Sequence, residues 1–162
     1  MVRQKKPYVI VVGVDASEPA EAAIEQAFET AASHERSEIH AINVSESFES
    51  AIHTSTADPL KVVTARAALE QRLRQKLDDM QRSARIDCLA RPPRIFTHLR
   101  TDRPAHEIAS LAAAVEADVV VVGTHGRHGI AKLLLGSVAE SLVRMSPCRV
   151  LVVRPPNVQQ VA

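Results

Sequence analysis

Short runs of branched aliphatic residues alternate along this chain with longer stretches in which apolar side chains recur every three or four positions. The first run, "YVIVVGV" at 8–14, has no polar break, the pattern of a strand buried on both faces. "SEPAEAAIEQAFETAA" (17–32) follows as a helix, with Ser17 as N-cap and Pro19 in the first turn. Ala20, Ala23, Ile24, Ala27, Phe28 and Ala31 form its apolar stripe. "EIHAINV" (38–44) alternates as a second strand, and the polar residues 45–59 read as a loop. Asp58 and Pro59 then supply the cap and first-turn proline of a long helix whose stripe is Val62, Leu69, Leu73, Leu77 and Met80. "RIFTHL" (94–99) is a weaker third strand, and Asp102 and Pro104 open a helix carrying Ile108, Leu111, Ala112 and Val115. "DVVVVG" (118–123) predicts another buried strand, "IAKLLLGSVAESLVRM" (130–145) a helix and "RVLVV" (149–153) the last strand. Strict alternation of strand and helix predicts an α/β fold, a parallel sheet covered by helices on both faces. Residues 1–156 are expected to form a single domain, and 157–162 a short C-terminal tail.

Composition narrows the function classes. An apolar content of 46% over 162 residues excludes a disordered chain and suits one core. Tyr8, Phe28, Phe48 and Phe96 are all the aromatics, too few for a platform on which single-stranded nucleic acid stacks. A net charge of +1 gives no overall pull toward nucleic acid or anionic membranes, so the expected partners include neither. Any anion must be captured by local geometry. Cys88 and Cys148 match neither a zinc site nor a disulfide scaffold and read as reduced structural thiols. Lys5 and Lys6 before an apolar run imitate a signal peptide, yet the run ends at Asp15 without a small-residue cleavage site. A soluble, cytoplasmic protein is expected.

Glycine is the residue that singles out a site. Four of the five glycines lie in "GTHGRHGIAKLLLGSV" (123–138), between a buried strand and a helix. That is where open α/β sheets bind ligands. Gly123, Gly126 and Gly129 allow the backbone to curl so that several N–H groups face one point. A following helix start adds further unpaired N–H groups, and the Ser137 hydroxyl adds a donor. The stretch is neither a Walker A motif nor a Rossmann GxGxxG. A tight turn that merely admits close helix packing would need the same glycines, and spacing leaves both accounts open.

Gly123, Gly126, Gly136 and Ser137 stand in the register G-x2-G-x9-G-[ST]. With "VVGVDASEPA" near the start and "ADVVVVGTHGRHG" and "GSVAESLVRMSPCRVLVVR" near the end, the chain resembles the ATP-binding branch of the universal stress protein family. The resemblance covers most of the chain and is weak between 45 and 100. It implies a Rossmann-like, mostly parallel five-stranded sheet of order 3-2-1-4-5, with the nucleotide at the C-terminal ends of strands one and four. The implied ligand is ATP, with Mg2+ as an optional companion and no metal site of the protein's own. Asp15 and its flanking Val14 and Ala16 would meet the adenine end, and Val44 would offer backbone groups to the base. Val122 and Gly123 would lie near ribose. Gly126, Gly129, Gly136, Ser137 and the N–H of Val138 would hold the phosphates, with Arg127 and His128 nearby. For Asp15 a plain helix-capping role competes with this.

Two departures from the family pattern stand out. Asp102 occupies the glycine position of a G-x-P turn, and Arg149 follows Cys148 where proline is common. The resemblance also implies a homodimer through the last strand, Arg149 to Val153, which Pro155 and Pro156 end. The implied role is a stress-response sensor or regulator that binds ATP without fast turnover and has no catalytic residues of its own. Three other readings are weighed against it. "HGRH" nearly matches an adenylyl-transfer HxGH motif, but its glycine is one place early and it follows the fourth strand; His125 and His128 lack partners for a metal set. A slow ATPase or self-phosphorylating enzyme, with Thr124, Ser137 or Ser141 as acceptor, lacks a recognisable general base, acidic pair or arginine finger. A nucleotide-independent interaction module would use the helix bearing "RLRQKLDDMQRSAR", or loop 45–59 as a lid.

Overall fold

Successive residues of a strand point to opposite faces, and here that alternation divides the core in two. Ile10, Val12 and Val14 point to one face, with Ile39, Ala41, Val119 and Val121. Val11, Ile42, Val120 and Val122 point to the other. Because both sets are aliphatic, both faces demand a helical cover. The computed structural model describes residues 6–15, 17–45, 59–82, 92–124 and 136–155. In order they form β1 (Tyr8–Gly13), α1 (Glu18–Ala32), β2 (Ser37–Ser45), α2 (Pro59–Arg82), β3 (Arg94–Thr101), α3 (Pro104–Ala114), β4 (Val119–Gly123), α4 (Ser137–Met145) and β5 (Arg149–Val153). The sheet has the order β3-β2-β1-β4-β5 and every pairing is parallel, as expected.

On the first face α1 contributes Ala23, Ile24, Ala27, Phe28 and Ala31, and α2 contributes Leu69 and Leu73. Phe28 is fully buried at the centre of this layer. On the second face lie Ile108, Ala109, Leu111 and Ala112 of α3, with Ala139 and Leu142 of α4. The side chains of Val62, Leu77 and Met80 lie outside the described residues, as do loop residues 46–58, including Asp58. Among the described residues no helix is long and apolar enough to cross a membrane.

The helix expected over 130–145 is corrected at its start. Within the described residues it begins at Ser137, and Gly136, at φ −62° and ψ 149°, is extended and serves as N-cap. The apolar periodicity runs through Gly136, but the Gly136 N–H donates to the Thr124 carbonyl at 2.6 Å. That bond ties the chain to the end of β4 and sets a helix start there.

Helix α3 is bracketed by two residues in conformations that favour glycine. Glu116, at φ 50°, closes the C-terminus: its N–H reaches Ala113 O and the Ala117 N–H reaches Ala112 O, a Schellman arrangement. Its carboxylate pairs with Lys6 at 2.7 Å, which holds it below the usual carboxylate range. Asp102, at φ 136°, lies in a region that side chains rarely adopt, at the glycine position of the expected turn. Asp102→Gly therefore stabilises the protein: about 2 kcal/mol of relieved strain outweighs about 1 kcal/mol of added unfolded-state entropy. The melting temperature should rise by about 2–4 °C. Asp102→Ala, which keeps the Cβ, serves as control and should leave it unchanged. An equal rise in both variants would place the gain in the lost charge instead.

Candidate functional site

The sheet changes direction of growth between β1 and β4, and four elements meet at the C-terminal ends of these strands. β1 is followed by Val14, whose N–H donates to Ile42 O at 2.8 Å and whose carbonyl accepts from Asn43 Nδ2 at 2.7 Å. These bonds carry the chain past the strand end without loss of register. Asp15 then turns the chain into α1. Its Oδ1 accepts the Ser17 N–H at 2.9 Å and the Ser17 hydroxyl as well, while Ser17 Oγ accepts the Ala20 N–H at 3.3 Å. Asp15 and Ser17 thus cap α1 together, and a carboxylate already faces the positive end of that helix.

β4 ends against α1. A Cβ placed on Gly123 would lie 2.6 Å from Pro19 Cβ and 2.7 and 2.8 Å from the Pro19 carbonyl carbon and oxygen. Of the two accounts left open, close helix packing therefore holds for this glycine. Thr124 continues the path: its N–H donates to Val153 O at 2.9 Å, and its carbonyl accepts from Gly136. Helix α4 starts beside it. No side chain caps α4 among the described residues, so the first-turn N–H groups of Ser137 and Val138 and the exposed Ser137 hydroxyl are the donors on offer. Of the two helix starts at this edge, α1 is capped by Asp15 and Ser17, whereas no described side chain caps α4, whose first-turn acid, Glu140, pairs with Arg144 at 2.7 Å. An anion is favoured at α4.

The structure brings Asp15, Gly123, Gly136, Ser137 and Val138 to the β1/β4 end of the sheet, with Val44 half-buried at the end of β2. The side chains of Val14 and Val122 belong to the core, which leaves only their backbone for a ligand. Ala16, Gly126, Arg127 and Gly129 lie outside the described residues, as do His125 and His128. Sequence reading missed Arg72, which donates from Nη1 to the Asp15 carbonyl at 3.0 Å. A second polar cluster lies away from these strand ends. His40 stacks on Phe96, its Nδ1 is 3.0 Å from His98 Nε2, and its Nε2 is 3.8 Å from Glu38. Burial pushes the His40 imidazole below its usual range, against the opposing pull of Glu38.

The sequence profile of the universal stress protein family matches residues 8–154. The chain belongs to that family. A universal stress protein of Methanocaldococcus jannaschii is 31% identical over 124 residues, 73% of either chain. Universal stress protein UspA from Lactobacillus plantarum superposes with a TM-score of 0.65 at 28% identity, over 93% of this chain and 100% of the other. A universal stress protein solved in complex with cAMP shares the fold at a TM-score of 0.62 and 23% identity, over 93% and 99% of the two chains. Within this universal stress protein fold, the described part of the candidate site offers backbone donors, the Ser137 hydroxyl and the Asp15 carboxylate.

Proposed function

We propose that this universal stress protein binds an adenine nucleotide, ATP, across the ends of β1 and β4, and serves as a stress-response sensor or regulator without fast turnover. The observation that carries the reading is the start of α4, which no described side chain caps, with Ser137 at its first position, in the register Gly123, Gly126, Gly136, Ser137. A triphosphate suits it because backbone N–H groups at a helix start bind phosphate oxygens without a lysine. Ser137 and Val138 take the phosphates. Because the Gly136 N–H is held by Thr124, this glycine contributes shape. Gly123 and the backbone of Val122 adjoin the ribose. The base lies toward Asp15 and the backbone of Val14 and Val44, where the carboxylate avoids phosphate repulsion. Mg2+ would supply charge neutralisation at the phosphates. The solved cAMP complex of a similar fold supports an adenine nucleotide as the ligand class.

The same reading includes a homodimer. Strand β5 ends the sheet, with Leu151 exposed on it and Val143 and Met145 exposed on the neighbouring α4. An edge of this kind, Arg149 to Val153, is completed by its copy across a twofold axis.

Thermal melts of the purified protein with ATP and Mg2+, with GTP and without ligand test the nucleotide. ATP at ~100 times its dissociation constant stabilises by about 2.7 kcal/mol. The midpoint should then rise by roughly 5–10 °C with ATP alone. The same sample, denatured, is assayed for released nucleotide. No shift and no release would replace the reading with a nucleotide-independent interaction module.

A further inference from the structure

Helix α2 lies in the part of the chain where resemblance to the family is weak, yet it reaches the site. Leu69 and Leu73 are buried against the sheet and α1, which fixes the helix and leaves Arg72 beside the apolar stripe. The guanidinium spans two elements. Its Nε donates to Glu21 Oε1 at 2.7 Å and Nη2 reaches the same oxygen, while Nη1 donates to the Asp15 backbone carbonyl at 3.0 Å. One turn further along, Lys76 pairs with Glu25 and lies 4.0 Å from Glu21. Two cations of α2 therefore face two carboxylates of α1, and one of the cations extends past the pair to a loop carbonyl.

That carbonyl follows the last paired residue of β1, which ends at Gly13, so the β1–β2 and β1–β4 ladders leave Asp15 without a partner. Three bonds then bracket the residue. Arg72 holds its carbonyl, and the Ser17 amide and hydroxyl hold its carboxylate. Asp15 is thereby tied to α2 through its carbonyl and to the cap of α1 through its carboxylate. Arginine suits this task because its planar fork serves two acceptors on different elements at once, and a lysine ammonium does not reproduce that geometry.

We propose that Arg72 is a positioning residue that holds the turn after β1, and with it Asp15, in the orientation that the nucleotide meets. The effect on affinity rests on the nucleotide reading above; the effect on the turn does not. α2 thereby becomes part of the site although none of its side chains touches the ligand. By linkage, whatever moves α2 changes affinity, and an occupied site fixes α2.

The test uses the full chain with Arg72→Lys and Arg72→Ala, and two readouts. The first is hydrogen exchange of the Ser17 amide in nucleotide-free protein, with the buried Phe28 amide as a monitor of the fold. Loss of one charge-assisted bond should speed Ser17 exchange about tenfold in both variants, with Phe28 unchanged. The second is ATP titration, in which the dissociation constant should rise about tenfold. A role confined to general stability would speed Phe28 and Ser17 together. If Arg72→Ala does this, Arg72→Lys, which keeps a cation beside Glu21, decides. Ser17 exchange at the wild-type rate in Arg72→Lys overturns the proposal. Wild-type protein that binds no ATP removes the nucleotide reading, and Ser17 exchange still decides whether Arg72 holds the turn.

Discussion

Gly123→Ala lowers the melting temperature of the nucleotide-free protein by about 6–12 °C, the equivalent of about 3 kcal/mol. The added Cβ meets the Pro19 Cβ, carbonyl carbon and carbonyl oxygen at 2.6–2.8 Å, and neither side can yield cheaply. β4 is held by pairing to β5 at Gly123↔Val153 and by the Thr124 amide on Val153 O. On the other side, Pro19 has a rigid ring in the first turn of α1, and that helix is anchored by the fully buried Phe28 and Ile24. Gly13→Ala is the comparison. A Cβ there would meet only side-chain ends, Val122 Cγ1 at 3.1 Å and Ile108 Cδ1 at 3.3 Å, which can shift by tenths of an ångström. Its effect should be about 1 kcal/mol. Equal melting temperatures for Gly123→Ala and wild type, combined with lost ATP binding, would assign this glycine to the ribose and not to Pro19.

Ser137→Pro raises the ATP dissociation constant about 100-fold while the nucleotide-free melting temperature changes little. Proline is welcome at the first helical position because its missing N–H is one that the helix leaves unpaired. It also requires an extended residue before it, and Gly136 at φ −62° and ψ 149° already is one. Ser137 is exposed and caps nothing among the described residues, so the described fold loses no bond. What disappears is an amide and a hydroxyl that the nucleotide reading assigns to phosphate. Two donors to a charged group are together worth about 3 kcal/mol, which is about 100-fold in affinity. Ser137→Ala keeps the amide and should weaken binding about tenfold. Isothermal titration of the three proteins checks the series, and unchanged affinity in Ser137→Pro would move the phosphates away from α4.

Much of this architecture can be read from residue order. Aliphatic runs at 8–14 and 118–123 demand cover on both faces, and Ser17 before Pro19 announces a helix start. The order of the strands came from the resemblance, since alternation alone fixes parallel pairing and not neighbours. The start of α4 was hidden because "AKLLLGSV" keeps helical periodicity across Gly136, and the interruption is a backbone bond to Thr124. Gly123 was legible as a place of close approach, but not as facing Pro19, more than 100 positions away in the chain. Arg72 was the least legible. It is one of several arginines on α2, among them Arg74 and Arg82, and the packing of Leu69 and Leu73 sets Arg72 toward the turn. Asp15 carried two readings from the outset. Its capping bonds are now seen; with Arg72 on its carbonyl, they leave the second carboxylate oxygen for the nucleotide reading.

Thr124 gives the fold a mechanical property. Its amide is fastened to the last residue of the edge strand and its carbonyl to the residue that starts α4, so two successive hydrogen bonds run from Val153 to Gly136. A strand laid along β5 from outside would therefore pull on the same line that sets where α4 begins. Tension applied at the rim of the sheet is delivered to the helix start without crossing the core.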